Sequence, residues 1–394
     1  MLLAILVESH LELFNLCVNK GTPVNTIKPV NFCDRCESLP EKIEDSGNLY
    51  LWFPLGHSLI KVTHYLRKAE INYELKDEGQ CLAISLQATE IENCVNTLPG
   101  ILTKNELHNT QALFITHAGE PKLRDIYRTT SLLRFISLRQ SSWVLDMLAA
   151  DRVTSQFQPI VYAEDTSRVF GQEALLRGLG EDGSLIPPGK FFPLAASAGI
   201  LVQLDLMGRR SAIREAMRHQ INDKIFINFS PTSIYDPASC LRSTMKAIDE
   251  AGIAHEQIVF EVVESDHVED SSHLKGILDV YREAGFSMAL DDFGAGYSNL
   301  NLLHELRPDL IKLDMNLIRD VHKDPYKAMV TEKILEITGH LNIKTVAEGI
   351  ECIEEFEWVK ERGATFVQGY LISKPMTVPV IQPAQLNREN LLAS

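Results

Sequence analysis

From Phe157 onward the chain alternates short apolar runs with stretches whose apolar positions recur at helical spacing. The apolar runs are 157–162, 171–176, 225–229, 258–263, 287–290, 310–313, 344–347 and 366–371. Helical patterns at 206–218, 240–251, 272–284, 329–340 and 354–362 separate most of them. Short runs alternating with amphipathic helices predict βα units and a largely parallel sheet. Roughly eight units in about 240 residues have the size and rhythm of an α/β, TIM-like (β/α)₈ barrel.

The chain before the barrel has a different texture. A strand-like run at 49–53 precedes a helix opened by Gly56-His57-Ser58, with Leu59, Val62, Leu66 and Ala69 on one face. Runs at 72–75 and 81–86 flank the turn Asp77-Glu78-Gly79. Thr89 starts a second helix facing Ile91, Val95 and Leu98 inward, and 112–116 closes as a strand. The order β-α-β-β-α-β predicts a small ferredoxin-like α+β domain. No convergent chemistry lies inside it, so its expected work is sensing, docking or dimerisation. Residues 119–150 read as a connecting helix, with Leu132, Phe135, Ile136, Trp143 and Met147 at helical spacing. The expected organisation is an extension at 1–45, a regulatory domain at 46–118, the connecting helix at 119–150 and the barrel at 151–394.

Composition narrows the function. At 45% hydrophobic and 23% charged over 394 residues, the chain has ample core for more than one domain. The net charge is −15 and no Lys/Arg-rich run appears, which argues against a DNA or RNA polymer as partner. The apolar opening lacks a basic flank, and no stretch is long enough to span a bilayer. Seven scattered cysteines suit reduced thiols and a cytoplasmic location. Cys33-Asp-Arg-Cys36 has the spacing of half a zinc site, to which Cys17 could add; zinc and redox chemistry both stay open.

In a barrel of this kind the site forms at the C-terminal ends of the strands. Polar residues do stand where the apolar runs stop. They are Glu173 and Arg177, Asn228, Glu261 and Glu264, Asp291 and Asp292, Lys312, Glu348 and Glu351, and Gln368. Glu173, Glu261, Asp291, Asp292 and Glu348 aim five carboxylates at one mouth, too many for Lys312 and Arg177 to neutralise. Hard divalent cations with oxygen ligands remove that repulsion.

The ordered set resembles the EAL domain, the cyclic di-GMP phosphodiesterase family, over residues 153–376. The namesake triplet is Glu173-Ala174-Leu175, and Asp291-Asp292-Phe293-Gly294 and Val346-Ala347-Glu348-Gly349 follow in order. The resemblance implies a barrel whose first strand runs antiparallel to the rest. It also implies two metals, Mg²⁺ or Mn²⁺, with Ca²⁺ inhibitory. Glu173, Asn228, Glu261 and Asp291 would hold one; Asp291, Asp292 and Glu348 the other. Lys312 would assist the attacking water or the phosphoryl oxygens, and Glu348 is both ligand and candidate proton acceptor. Arg177, Gln368, Leu176, Tyr370 and Pro375 would contact substrate. Glu264 and Glu351 would anchor the loop 292–300, which links the site to a homodimer contact. The implied reaction opens cyclic di-GMP to linear pGpG; a non-catalytic receptor for the same nucleotide is the alternative. Ala295 stands where Thr is common and Asn299 where Ser is common, and neither is an implied ligand. No Gly-Gly-Asp-Glu-Phe cyclase signature is present.

Overall fold

The computed structural model describes residues 37–117, 119–231, 234, 237–263, 271–295 and 300–386. Cys17, Cys33, Cys36 and Glu264 lie outside them, as do 296–299 of the loop after the aspartates.

The first sheet is antiparallel throughout. Its strands are β1 (Ser46–Trp52), β2 (Tyr73–Lys76), β3 (Cys81–Gln87), β4 (Gln111–Ile115) and the short β5 (Thr130–Ser131), in the order β2-β3-β1-β4-β5. Helices Gly56–Lys68 and Ala88–Ile101 connect β1 to β2 and β3 to β4. The expected β-α-β-β-α-β order is therefore present, extended by helix Lys104–Asn109 and by β5. Alternation along β1 and β3 sends Leu49, Leu51, Leu82 and Ile84 to the helical face, where Val62, Leu66, Ile91 and Leu98 meet them. Ala69, expected on that face, is exposed just past its helix.

The single helix expected over 119–150 is replaced by several pieces. Leu123–Arg128 is a 3₁₀ turn, β5 follows, and helices Leu132–Gln140 and Ser142–Ala149 meet at Ser141. Leu132, Phe135 and Ile136 complete the core of the first sheet. Leu138, Val144, Leu145 and Met147 instead pack with Val153, Phe191 and Leu204 beside the barrel. The break at Ser141 lets two successive helical faces serve two cores. Arg139 ties this region together, donating to Glu92 (2.8 Å), Asp45 (2.7 Å) and the Ile43 carbonyl (2.8 Å).

The second sheet closes on itself. Its strands are β6 (Val153–Tyr162), β7 (Val169–Leu179), a short β8 (Leu185–Ile186), β9 (Lys224–Phe229), β10 (Ile258–Val263), β11 (Ser287–Phe293), β12 (Leu310–Leu313), β13 (Lys344–Ala347) and β14 (Phe366–Val367). The order β6-β14-β13-β12-β11-β10-β9-β7 is closed by pairing of β6 with β7, with β8 beside β7. Strand β6 runs antiparallel to both neighbours, and the other joints of the barrel are parallel. The expected (β/α)₈ barrel with a reversed first strand is thus the fold.

Period-two alternation divides each strand between two environments. Residues such as Phe260, Leu290 and Ile311 point out to the helices. Their neighbours Phe226, Val259, Ala289, Leu310, Val346 and Phe366 point in and form an apolar floor, where Phe170 stacks on Phe366 with ring centroids 3.8 Å apart. Two residues on, toward the C-terminal ends, the inward positions become Asn228, Glu261, Asp291, Lys312, Glu348 and Gln368. The barrel interior is a hydrophobic plug with a polar layer above it.

Candidate active site

Lys312 stands at the centre of that layer. It is 1% exposed. Its Nζ lies 2.7 Å from Glu261, 2.7 Å from Glu348, 3.2 Å from Asp291 and 3.4 Å from Glu173. Four strand ends converge on one ammonium. Gln368 Nε2 donates to Glu173 at 2.7 Å, and Asn228 Nδ2 reaches the other oxygen of Glu173 at 3.3 Å.

The backbone explains the placement. Beyond the short strands β13 and β14, the ladder continues by single bonds: Glu348 N–H to the Leu313 carbonyl (3.1 Å) and Gln368 N–H to the Ala347 carbonyl (2.9 Å). These fix both side chains at the mouth. Gly369 follows because nothing larger fits: a Cβ there would lie 2.1 Å from the Ile350 carbonyl oxygen.

The two aspartates are a special case. In a regular strand, adjacent residues face opposite sides, so Asp291 and Asp292 would be parted. Here the register with β12 shifts between Leu290 and Phe293, and Asp292 takes a left-handed backbone, φ 55°. Asp is among the few non-glycine residues that tolerate this conformation. The result is that carboxylate oxygens of Asp291, Asp292 and Glu348 all lie within 4.8 Å of one another.

Electrostatics follow from burial. Burial holds the Glu261 carboxyl well above its usual range although Lys312 pulls the other way. Burial likewise raises Glu348 to about 8, with Asp291 and Glu173 adding to it against Lys312. Asp292 is raised to about 6 by burial and by the charges of Asp291 and Asp314. Burial opposes the Lys312 charge, but Asp291, Glu173, Glu261 and Glu348 outweigh it and keep the ammonium protonated.

The donor set suits hard cations. Five ionised carboxylates against one ammonium leave a formal charge of −4, which two divalent ions would balance. Glu261 Oε2 and Gln368 Oε1 are buried without a hydrogen-bond partner among the described residues. Such orphaned oxygens cost free energy unless something outside the protein binds them. The groups are all oxygen donors, the preference of Mg²⁺, Mn²⁺ and Ca²⁺.

This predicts a pH signature. The Glu348 carboxyl has its ordinary value near 4.5 when unfolded and about 8 when folded without metal. Between those values the folded state holds a proton that the unfolded chain has released, so stability falls as pH rises. Asp292 acts in the same direction between 3.8 and about 6. Melting temperatures of metal-free protein should therefore decline from about pH 5 to about pH 8, and added Mg²⁺ should raise Tm more at the higher pH. A Mg²⁺ effect that is equal at both ends would contradict this origin of the shifts.

Other candidate residues fall at the edge of the mouth. Arg177 donates to Gln156 (2.8 Å) and to the Leu176 carbonyl (2.9 Å), and burial lowers its pKa. Tyr370 is 56% exposed beside the cavity, with Lys374 above its ring. The Leu176 side chain packs outward with the cluster around Phe191, and its carbonyl accepts the Arg177 bond. Pro375 is half-buried one residue before Met376, whose backbone pairs with Phe157 on β6. Glu351 was expected to anchor the loop 292–300, of which 296–299 lie outside the described residues. It is half-exposed, its carboxylate takes Arg319, and it lines the same cavity as Asp292 and Glu348. The buried carboxylate in this region is Glu355, which accepts from the N–H groups of Asp320 (2.8 Å), Glu351 (3.0 Å) and Cys352 (3.3 Å).

Two site residues escaped the sequence reading. Asp314 is buried, follows Lys312 by two, and caps the helix Met315–Ile318 through Asn316 N–H at 2.9 Å. Gln158 on β6 lines the same cavity and donates to the Ser373 carbonyl at 3.0 Å. The cavity, about 260 Å³, is bounded by Glu173, Asp292, Asp314, Glu348, Gln368 and Tyr370 among others. A larger one of about 720 Å³ opens at the opposite end of the barrel, beneath Phe170. Its lining has Asp309 as the sole carboxylate and holds none of the convergent groups.

A reversed-strand (β/α)₈ barrel with an acidic, lysine-centred mouth defines the class. A family model described as "EAL domain" matches residues 141–375, more than half of the chain, and the chain belongs to the EAL domain family. It is 34% identical over 345 residues to "Probable cyclic di-GMP phosphodiesterase PdeG" of Escherichia coli (strain K12), matching 81% of this chain and 68% of that protein. "Probable cyclic di-GMP phosphodiesterase PdeB" of the same organism is 34% identical over 224 residues, 56% of this chain and 42% of that one. The chain thus spans from under half to about two thirds of the length of these relatives. The crystal structure of a standalone versatile EAL protein from Vibrio cholerae O395, in its c-di-GMP bound form, matches 59% of this chain and 95% of its own. The identity is 36% and the TM-score 0.53. Among the described residues, no helix is long and apolar enough to cross a membrane.

Proposed function

We propose that this protein is a metal-dependent phosphodiesterase that hydrolyses cyclic di-GMP to linear pGpG. The observation that carries the reading is the convergence of Glu173, Glu261, Asp291 and Glu348 on a buried Lys312. Relatives named as cyclic di-GMP phosphodiesterases and a solved neighbour with the nucleotide bound support the substrate.

Glu173, Asn228, Glu261 and Asp291 would hold one cation, and Asp291, Asp292 and Glu348 the other, Mg²⁺ or Mn²⁺ in each place. When bound, such a pair lends positive charge to a phosphodiester and makes water acidic enough to react near neutral pH. The chain's own groups do the rest. Lys312 holds the carboxylates in register and presents an ammonium toward the phosphoryl oxygens. Glu348, at the mouth beside Lys312, is the carboxylate that can take up the proton released by water. Arg177 offers a planar fork to a phosphate oxygen, and Tyr370 an exposed ring beside the mouth. The sheet before the barrel regulates, and homodimerisation through the barrel domain is part of the reading.

Calcium separates catalysis from binding. Ca²⁺ takes longer bonds and more ligands than Mg²⁺ and should seat the nucleotide without positioning it for attack. Protein loaded with cyclic di-GMP in Ca²⁺ should retain it intact, then convert it to pGpG within a turnover after exchange into excess Mg²⁺. Release of unchanged nucleotide after the exchange would make the protein a receptor.

A further inference from the structure

We propose that His322, Cys352 and Glu355 form a zinc-class metal site, separate from the carboxylate mouth, that clips the loop carrying Glu348 to the segment before helix Pro325–His340. One ligand atom from each residue lies within 4.8 Å of the others. Two observations point to a ligand there. The Nδ1 of His322 is buried and has no hydrogen-bond partner. Glu355 is 3% exposed, and its carboxylate accepts three backbone N–H bonds, one on Oε1 and two on Oε2. The Cys352 thiol also hydrogen-bonds to this carboxylate, so cysteine and glutamate already meet, and a thiol proton stands where a cation would bind.

The donor chemistry differs from that of the mouth. Thiolate, imidazole and carboxylate together favour Zn²⁺ or Co²⁺ over Mg²⁺. Bonds of about 2.0–2.3 Å place tetrahedral ligands roughly 3.5 Å apart, a separation that side-chain rotation can reach from groups already within 4.8 Å. Three protein ligands leave a fourth position for water, and His322 and Cys352 are only half-buried, which gives the ion a path in. Cys352 directly precedes helix Ile353–Glu361 and lies four residues after Glu348. Asp320 N–H already reaches Glu355 across the two segments, and a metal would lock that contact.

Cobalt spectroscopy on the full chain tests this, because thiolate-bound Co²⁺ gives a near-ultraviolet charge-transfer band that an all-oxygen site lacks. Excess Mg²⁺ keeps the mouth filled with the hard ion. The variants are Cys352→Ser, which removes the thiolate and keeps a side chain able to cap the helix; His322→Gln; and the double substitution Cys33→Ser/Cys36→Ser. The expected result is one equivalent of the band in wild type and in the double variant. The band should vanish in Cys352→Ser, and the cobalt affinity should fall by about tenfold or more in His322→Gln. A band that survives Cys352→Ser, or that is missing from the double variant, overturns the assignment.

Discussion

Lys312→Met is expected to cost about 10²–10³-fold in turnover and, without metal, about 3–5 kcal/mol in stability. Methionine keeps the unbranched length and fills the space, so the change is one of charge. The ammonium sits within 3.4 Å of four carboxylates from four strand ends and is 1% exposed. Removing one partner of a buried pair strands the other charge in a medium that solvates it poorly. Here four are stranded, and they relieve the strain by taking up protons. The stability loss should therefore grow with pH, and divalent cations should recover most of it. Turnover should not recover, because positive charge near the phosphoryl oxygens is still missing. Thermal melts with and without Mg²⁺, beside turnover at saturating Mg²⁺, separate the two effects. A variant as stable as wild type in chelator would mean that Lys312 contributes nothing to holding the mouth together.

Asp291→Asn is expected to abolish turnover with the fold retained. Asp291 is the carboxylate assigned to both cations, so its loss weakens each. Metal assistance is worth several kcal/mol, and each 1.4 kcal/mol or so is tenfold in rate, giving a loss on the order of 10³-fold or more. The amide keeps the size and can still accept Asp292 N–H, which reaches Asp291 Oδ1 at 3.0 Å. Removing one negative charge also relieves repulsion among the carboxylates, so the metal-free variant should melt at or above the wild-type temperature. Circular dichroism, Mg²⁺ titration by calorimetry and turnover check the three parts. Wild-type turnover at ordinary Mg²⁺ would remove Asp291 from the site.

Much of this site was legible because the barrel obeys one rule. Phe226, Val259, Leu310 and Val346 make the floor, and the residue two further on is Asn228, Glu261, Lys312 or Glu348. Alternation alone places these on one inner wall. The reversal of β6 was signalled too, though not by periodicity. Only residues 163–168 join β6 to β7, while a parallel pair needs a crossover of about a dozen residues or more. Asp314 could have been found by continuing the alternation past Lys312. What the pattern hid was local. The shift that brings Asp291 and Asp292 together depends on a left-handed backbone at Asp292, which the spacing of hydrophobic residues does not encode. The helix predicted across 119–150 failed because one apolar periodicity runs through two helices that serve different cores. Glu355, at the start of helix Ile353–Glu361, was not singled out by the pattern, yet it is buried while Glu351 pairs with Arg319 at the surface.

The most direct test of the central claim is product analysis by chromatography. Purified full-length chain is incubated with cyclic di-GMP in Mg²⁺ or Mn²⁺, in chelator, and with Glu173→Ala in place of wild type. Linear pGpG is expected from the wild-type protein with metal, and unchanged substrate in chelator and with the variant. Hydrolysis that persists in chelator, or unchanged nucleotide with wild-type protein in either metal, would contradict it.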